Sequence, residues 1–422
     1  MISSFSCEGF RNITTSELEF KQINILIGPN NAGKSNFIRS LTFVPNMITN
    51  SDIEATKFLA ELKHNGWKNV LDRKRLSDSD NSFFQEAWEI QLKDMDPVKY
   101  MMKVHIGDNR EDNYIMQESL DSCILPEGKK KPYNYFLCHG EKIGSGMFSS
   151  AGMYKKMNNR LKAAVSEYET VLMQIEGLFL DNPSLFSSTY IRKDIVEVLK
   201  RMREFFKGFS SYSCTAFNLR EITNPQDNQN EGTFLRKDGI NFVNVYDYYR
   251  DSYKEFEPEF LEIAGKIIFG LEKISISKAG NKIWMELMID GENYSLAEVS
   301  DGTVHLLLLV MLLVMSSIGT VSMLALDEPE MNLHPAWQKL MASMILREQN
   351  ETQFFLSTHS PDFLDEFNES FKENKVAVFV FDPSKKDKIR LLKPESFGKD
   401  LDEWTLGDLY RVADPMIGGW PQ

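Results

Sequence analysis

Gly28-Pro29-Asn30-Asn31-Ala32-Gly33-Lys34-Ser35 matches G-x-x-x-x-G-K-[ST], a spacing that lets backbone, ammonium and hydroxyl groups converge on one polyphosphate. Gly28 and Gly33 permit backbone angles that a Cβ forbids. The N–H groups from Asn30 through Asn36, those of Asn31 and Ala32 included, can then line one concavity. A helix starting near Lys34 adds the positive end of its dipole. Lys34 is placed to reach the β- and γ-phosphates of ATP and to neutralise their charge during reaction, and Ser35 to ligate Mg²⁺. The bland alternative is a glycine-rich strand-to-helix turn with no ligand. The apolar run Ile23–Ile27 before it and the helical pattern NFIRSLTF after it favour the cradle.

A second candidate centre comes far along the chain, where VSMLAL (321–326) ends in Asp327-Glu328-Pro329-Glu330. At the end of a strand next to the P-loop strand, Asp327 would hold Mg²⁺ through water and Glu328 would deprotonate the attacking water. A third apolar run, QFFLSTHS (353–360), carries His359 near its end, where an imidazole can hydrogen-bond the γ-phosphate. A strand-end histidine is more often structural, so this assignment rests on its position one strand beyond the Asp-Glu pair. Ahead of both, Ser300-Asp301-Gly302-Thr303 opens the apolar helix VHLLLLVMLLVM and offers free amides to a phosphate. Lys129, Lys130 and Lys131, with Tyr133 and Tyr135 close behind, read either as a solvated hairpin tip or as a nucleic-acid contact.

These residues need a scaffold of buried strands. Residues 3–20 pattern as a strand pair with Arg11 on its turn, and 35–63 as helix. From Ala87 to about Gly144, short strand patterns alternate with turns and imply an antiparallel sheet. Residues 154–209 pattern as long amphipathic helices, 241–270 as further helices, and KISISKAGNKIWMELMIDGENYSLAEV as a meander leading to Ser300. The 422-residue chain is 42% hydrophobic and 26% charged, and it carries a net charge of −13, which excludes general adhesion to nucleic acid or anionic membrane. Four cysteines without C-x-x-C spacing indicate neither zinc site nor disulfide framework and fit a reducing cytoplasm. No signal peptide is visible, and Val304–Met315 is shorter than the roughly 20 residues a membrane span needs.

The order of P-loop, Ser-Gly turn before a buried helix, DEPE and strand-end histidine resembles that of the ATP-binding cassette ATPases. NITTSELEFKQINILIGPNNAGKSNF, EVSDGTVHLLLL, ALDEPEMNLHP and STHSP are similar to the overcoming-lysogenisation-defect (OLD) branch, related to RecF and SMC. The resemblance implies an α/β P-loop NTPase of ABC-ATPase type, with a mixed sheet core, an antiparallel β subdomain and a helical insertion. The layout it implies is head 1–145, mainly helical insertion 146–265, head 266–392 and docking tail 393–422. It implies that Arg11 contacts nucleotide and that Ser300, Gly302 and Thr303 reach the γ-phosphate of a second copy in a head-to-tail homodimer. Asp301 replaces the first signature glycine of transporters, and His334 stands where they carry an aspartate. The Toprim nuclease of many OLD proteins finds no room here, so the resemblance implies an ATPase subunit of an anti-phage system with a separately encoded nuclease or toxin. A RecF-like DNA-repair ATPase that clamps duplex DNA and a switch that binds ATP without turnover are the competing readings.

Overall fold

The computed structural model describes residues 1–49, 67–75, 82–109, 112–125, 127–140, 146–150, 161–174, 177, 193–228, 233–331, 333–347, 351–385, 387–398 and 400–417. The helical patterns at 50–63, 154–160 and 178–192 lie outside them. The chain divides into two compact units. One comprises Met1–Lys21, Asn30–Phe209 and Phe381–Leu391; the other comprises Gln22–Pro29, Ser210–Val380 and Leu392–Gln422.

The chain opens with strands β1 (Ile2–Phe10), β2 (Ile13–Glu19) and β3 (Ile23–Ile27), then helix α1 (Lys34–Thr49). In the first unit β1 and β2 join β4 (Phe83–Ile90), β5 (Val98–His105), β6 (Tyr114–Ser122), β7 (Asn134–His139), β8 (Gly146–Ser150) and β9 (Leu161–Val165). They form one sheet in the order β2-β1-β4-β5-β6-β7-β8-β9. Burial alternates strictly along β5, as an antiparallel sheet with one packed face requires. On that face Trp88 and Tyr100 meet Phe206 of helix α2 (Lys193–Lys207), and Phe5 and Phe10 meet Phe37 and Phe43 of α1. The strands at β8 and β9 replace part of the helical stretch read from sequence. LKAAV has an apolar spacing that suits either state, and pairing of Leu161–Val165 with β8 decides it.

In the second unit β3 is joined by β10 (Phe209–Ser213), β15 (Met323–Asp327), β16 (Gln353–Ser357) and β17 (Val376–Phe381), in the order β10-β15-β16-β3-β17. The pairs β15–β16, β16–β3 and β3–β17 are parallel. All five residues of β3 and of β16 are buried, the mark of a parallel sheet covered on both faces. A smaller antiparallel sheet contains β11 (Gln226–Asp227), β12 (Leu271–Ala279), β13 (Lys282–Ile289) and β14 (Glu292–Ser295). Helices α3 (Phe242–Ser252), α4 (Phe256–Ile267) and α5 (Asp301–Ser317) complete this core. Every residue of α5 from Val304 to Ser316 is buried, so its uniform apolarity reflects a central position. Among the described residues no helix is long and apolar enough to cross a membrane.

Candidate nucleotide site

In the first unit the residues after Pro29 turn directly into α1. Asn31 and Gly33 adopt left-handed angles, φ +62° and +113°, and a Cβ on Gly33 would stand 2.9 Å from Nδ2 of Asn12. Only glycine fits there. Arg11, itself left-handed at φ +50°, donates from Nη1 to Oδ1 of Asn36 at 3.2 Å, and Asn36 Nδ2 donates to Oδ1 of Asn12 at 2.8 Å. The β1–β2 turn is thus tied to the first turn of the P-loop helix. Burial and the neighbouring Arg39 lower the pKa of Arg11. Lys34 is buried, while Ser35 lies exposed on the opening turn of α1.

In the second unit β15 carries Asp327 to its end and Glu328 follows in a left-handed conformation, φ +56°, uncommon for a residue with a Cβ. Ser357, the last residue of β16, holds that conformation. Its carbonyl and hydroxyl oxygens accept the Glu328 N–H at 3.1 and 3.2 Å, and its hydroxyl donates to Oδ1 of Asp327 in a short hydrogen bond. The strained backbone aims the Glu328 carboxylate at His359, with Oε1 and Nε2 3.6 Å apart. Glu330 is buried. Its Oε1 accepts the Thr358 hydroxyl at 2.7 Å and the His359 and Ser360 amides at 2.9 and 3.3 Å. Burial raises its pKa against these hydrogen bonds.

One expectation of adjacency is corrected: β16, not β15, borders β3 on this side, so the Asp327 strand stands one strand away from the P-loop strand. A parallel order set by crossovers cannot be read from two apolar runs. His359 lies two residues beyond the end of β16, the strand that pairs with β15. Ser300 accepts the Thr303 amide at 3.1 Å and caps α5, leaving Ser300 and Asp301 exposed. Gly302 and Thr303 are half-buried in its first turn. His334 caps helix α6 (Pro335–Ile345) by accepting the Ala336 amide on Nδ1. Lys129–Lys131 are exposed, but Tyr135 is buried in β7 and packs edge-on against Tyr133, so it is not a free stacking platform.

Sequence reasoning missed Asn12, Ser357 and Glu330, whose partners are distant in sequence. It also missed Cys214, which follows β10 and whose thiol pKa is pushed up by burial and by Glu330, Asp327 and Glu328. Helix α8 (Leu406–Arg411) packs on helix α7 (Pro361–Asp365), which starts just after His359.

The fold is similar to that of SMC heads. One, bound to the C-winged helix domain of ScpA, superposes with a TM-score of 0.50 at 14% identity, over 94% of this chain and 99% of that one. A head from Thermotoga maritima gives 0.41 at 10%, over 93% and 98%. A Pyrococcus furiosus head with an extended coiled coil, bound to the C-terminal domain of ScpA, gives 0.46 at 14%, over 95% and 98%. No curated protein matches the chain. The family model described as AAA ATPase domain (AAA_15) matches residues 1–364. With that match across most of its length, and the ABC-type P-loop architecture of an SMC head, the chain belongs to the AAA_15 ATPase domain family.

Proposed function

We propose that this protein hydrolyses ATP, with Glu328 as general base. The observation that carries the reading is the Glu328 carboxylate, set at φ +56° by Ser357 and 3.6 Å from the His359 imidazole. Lys34 and the amides of Asn30–Asn36 bind the phosphates, Arg11 approaches the nucleotide beside Asn36, and His359 hydrogen-bonds the γ-phosphate. Asp327 and Ser35 supply the hard oxygens that Mg²⁺ prefers, and the half-exposed Asp327, oriented by Ser357, suits that role. Mg²⁺ held there offsets phosphate charge. Ser300, Gly302 and Thr303, at an exposed helix start, serve a second copy head to tail.

The wider role follows from the OLD resemblance: a regulatory head whose ATP cycle controls a separately encoded nuclease or toxin in anti-phage defence. Heads of this fold, from SMC proteins, are solved with a ScpA domain bound, which supports a partner subunit here. The RecF-like alternative would instead put duplex DNA against the ATP-bound dimer.

Glu328→Gln tests the chemistry. It keeps the shape of the side chain and removes its basicity, so single-turnover hydrolysis should fall by about 10²–10⁴-fold while ATP binding persists. Size-exclusion with ATP should show the variant accumulating as dimer, and Lys34→Ala should lose ATP binding altogether. Wild-type hydrolysis by Glu328→Gln would sink the assignment.

A further inference from the structure

The stretch that matches the family ends at residue 364, yet a residue beyond it reaches the β1–β2 turn within the first unit. There the segment Phe381–Leu391 returns to α1, and the Phe381 ring meets Phe37 edge-on at 5.6 Å. The Asp382 amide donates to the Lys388 carbonyl at 2.8 Å, and Oδ1 of Asp382 accepts the Ser384 amide at 3.0 Å and its hydroxyl at 2.6 Å. The loop is thus closed at its base. Nζ of Lys388 donates to the Asn12 carbonyl at 3.3 Å, across 376 residues of chain.

Asn12 turns its side chain to the phosphate loop. Its Oδ1 accepts Nδ2 of Asn36 at 2.8 Å, and its Nδ2 and Oδ1 would stand 2.9 and 3.2 Å from a Cβ on Gly33. The Asn36 carboxamide also accepts Nη1 of Arg11, so one residue of α1 is gripped by two of the turn. The turn is itself fixed from another side, where the Arg11 amide donates to the Val70 carbonyl at 2.7 Å. A cradle of backbone amides binds phosphate only while its backbone angles stay set, and Gly33, at φ +113°, is free to leave the angle that only glycine adopts there. The Asn12 amide stands against that freedom.

We propose that Asn12 is a positioning residue of the nucleotide site, holding the phosphate loop at Gly33 and the first turn of α1 at Asn36, and that Lys388 holds Asn12 in turn. The proposal rests on the ATP-binding reading given above. Truncating Asn12 leaves Asn36 Nδ2 without its acceptor and opens space beside Gly33, so the loop is no longer arranged before the ligand arrives. Binding should suffer more than chemistry.

The test uses the full chain, with ATP titrated by calorimetry and steady-state hydrolysis measured alongside thermal unfolding. Asn12→Ala should raise the Kd and KM for ATP by about three- to tenfold, with kcat and the unfolding midpoint near wild type. Asn36→Ala, which removes the same hydrogen bond from the side of α1, should raise Kd by a similar factor. Lys388→Met should raise it by less, about two- to threefold, and should add little in the Asn12→Ala background, because it acts through the side chain already lost. Wild-type affinity in Asn12→Ala overturns the proposal, as does a lowered midpoint with Kd unchanged, which would mark a merely structural asparagine. Full additivity of Asn12→Ala and Lys388→Met would overturn the role of Lys388 through Asn12. Lys34→Ala belongs in the same titration. If wild type and Lys34→Ala were equally unable to bind ATP, the ATP reading itself would fall, and the proposal with it.

Discussion

Glu118 in the antiparallel sheet of the first unit and Glu330 beyond β15 in the second are both buried carboxylates that accept a hydroxyl and backbone amides. Glu118 takes the Tyr100 hydroxyl at 2.7 Å and the Val171 amide on both oxygens, at 2.9 and 3.1 Å. Glu330 gathers the Thr358 hydroxyl and two amides on Oε1, while its buried Oε2 has no hydrogen-bond partner among the described residues. Burial raises both pKa values, that of Glu118 to about 7. A raised carboxyl therefore does not by itself mark chemistry in this protein. What differs is the cargo. Glu118 ties β6 to the helical turn at Val171, whereas Glu330 holds the backbone of His359.

The largest effect should come from truncating each in turn. Glu330→Ala frees the Thr358–Ser360 backbone, and kcat for ATP hydrolysis should drop on the order of 10- to 100-fold with Kd for ATP within about twofold, since misplacement of a reacting group is costly. Glu118→Ala should leave kcat nearly unchanged and cost about 3 kcal/mol of stability, because Tyr100 and Val171 lose their buried acceptor. Steady-state kinetics and denaturant unfolding on both variants decide it. A Glu118→Ala enzyme that lost as much turnover as Glu330→Ala would erase the distinction.

The same contrast shows what the sequence made legible. The phosphate loop and the Asp-Glu pair stand out because each is a local pattern next to an apolar run, and the alternation of β4 to β7 is equally local, whereas His359 is singled out only by its place after the next apolar run. Arg11 is reached only through the family resemblance, and what the structure adds is its bond to Asn36, which ties the β1–β2 turn to α1. Glu330 stayed silent because its partners are 28 to 30 residues away and meet it only when β15 and β16 pair in parallel. β10, FSSYS, is too short and too rich in serine to stand out as a core strand, yet it flanks β15 and brings Cys214 toward the carboxylates.

A medium effect should appear against pH. Because burial holds the Glu118 carboxyl near 7 instead of 4.5, the folded state binds its proton more tightly than the unfolded chain does. Its contribution is then complete below about pH 4.5 and is lost as pH rises through about 7, a change of about 3 kcal/mol in unfolding free energy. The ionisable groups around it are Tyr100 and Cys138, whose own pKa values are raised in part by Glu118. Glu118→Gln should flatten this part of the stability profile, measured by urea unfolding from pH 4 to 8, without moving the pH profile of kcat. A profile as steep in the variant as in the wild type would assign the titration to another group.

The smallest and sharpest comparison removes only a hydroxyl from each carboxylate's shell. Tyr100→Phe and Thr358→Val each delete one donor at 2.7 Å while keeping the bulk of the side chain, and each should cost about 1 kcal/mol of stability, the net value of one such bond. Their consequences for turnover should part. Tyr100 steadies a carboxylate that carries no reacting group, so kcat should not change. Thr358 precedes His359 directly, and its amide donates to the Leu26 carbonyl at 3.1 Å, so the residue also links β16 to β3 within the second unit. With its hydroxyl gone, Glu330 keeps the two amides but loses its shortest donor, and the His359 ring should sample more positions relative to Glu328. Hydrolysis should slow by a few-fold, on the order of one hydrogen bond's worth of alignment, with ATP affinity retained. Equal and negligible changes in kcat for both variants would show that the two amides alone are enough to hold His359.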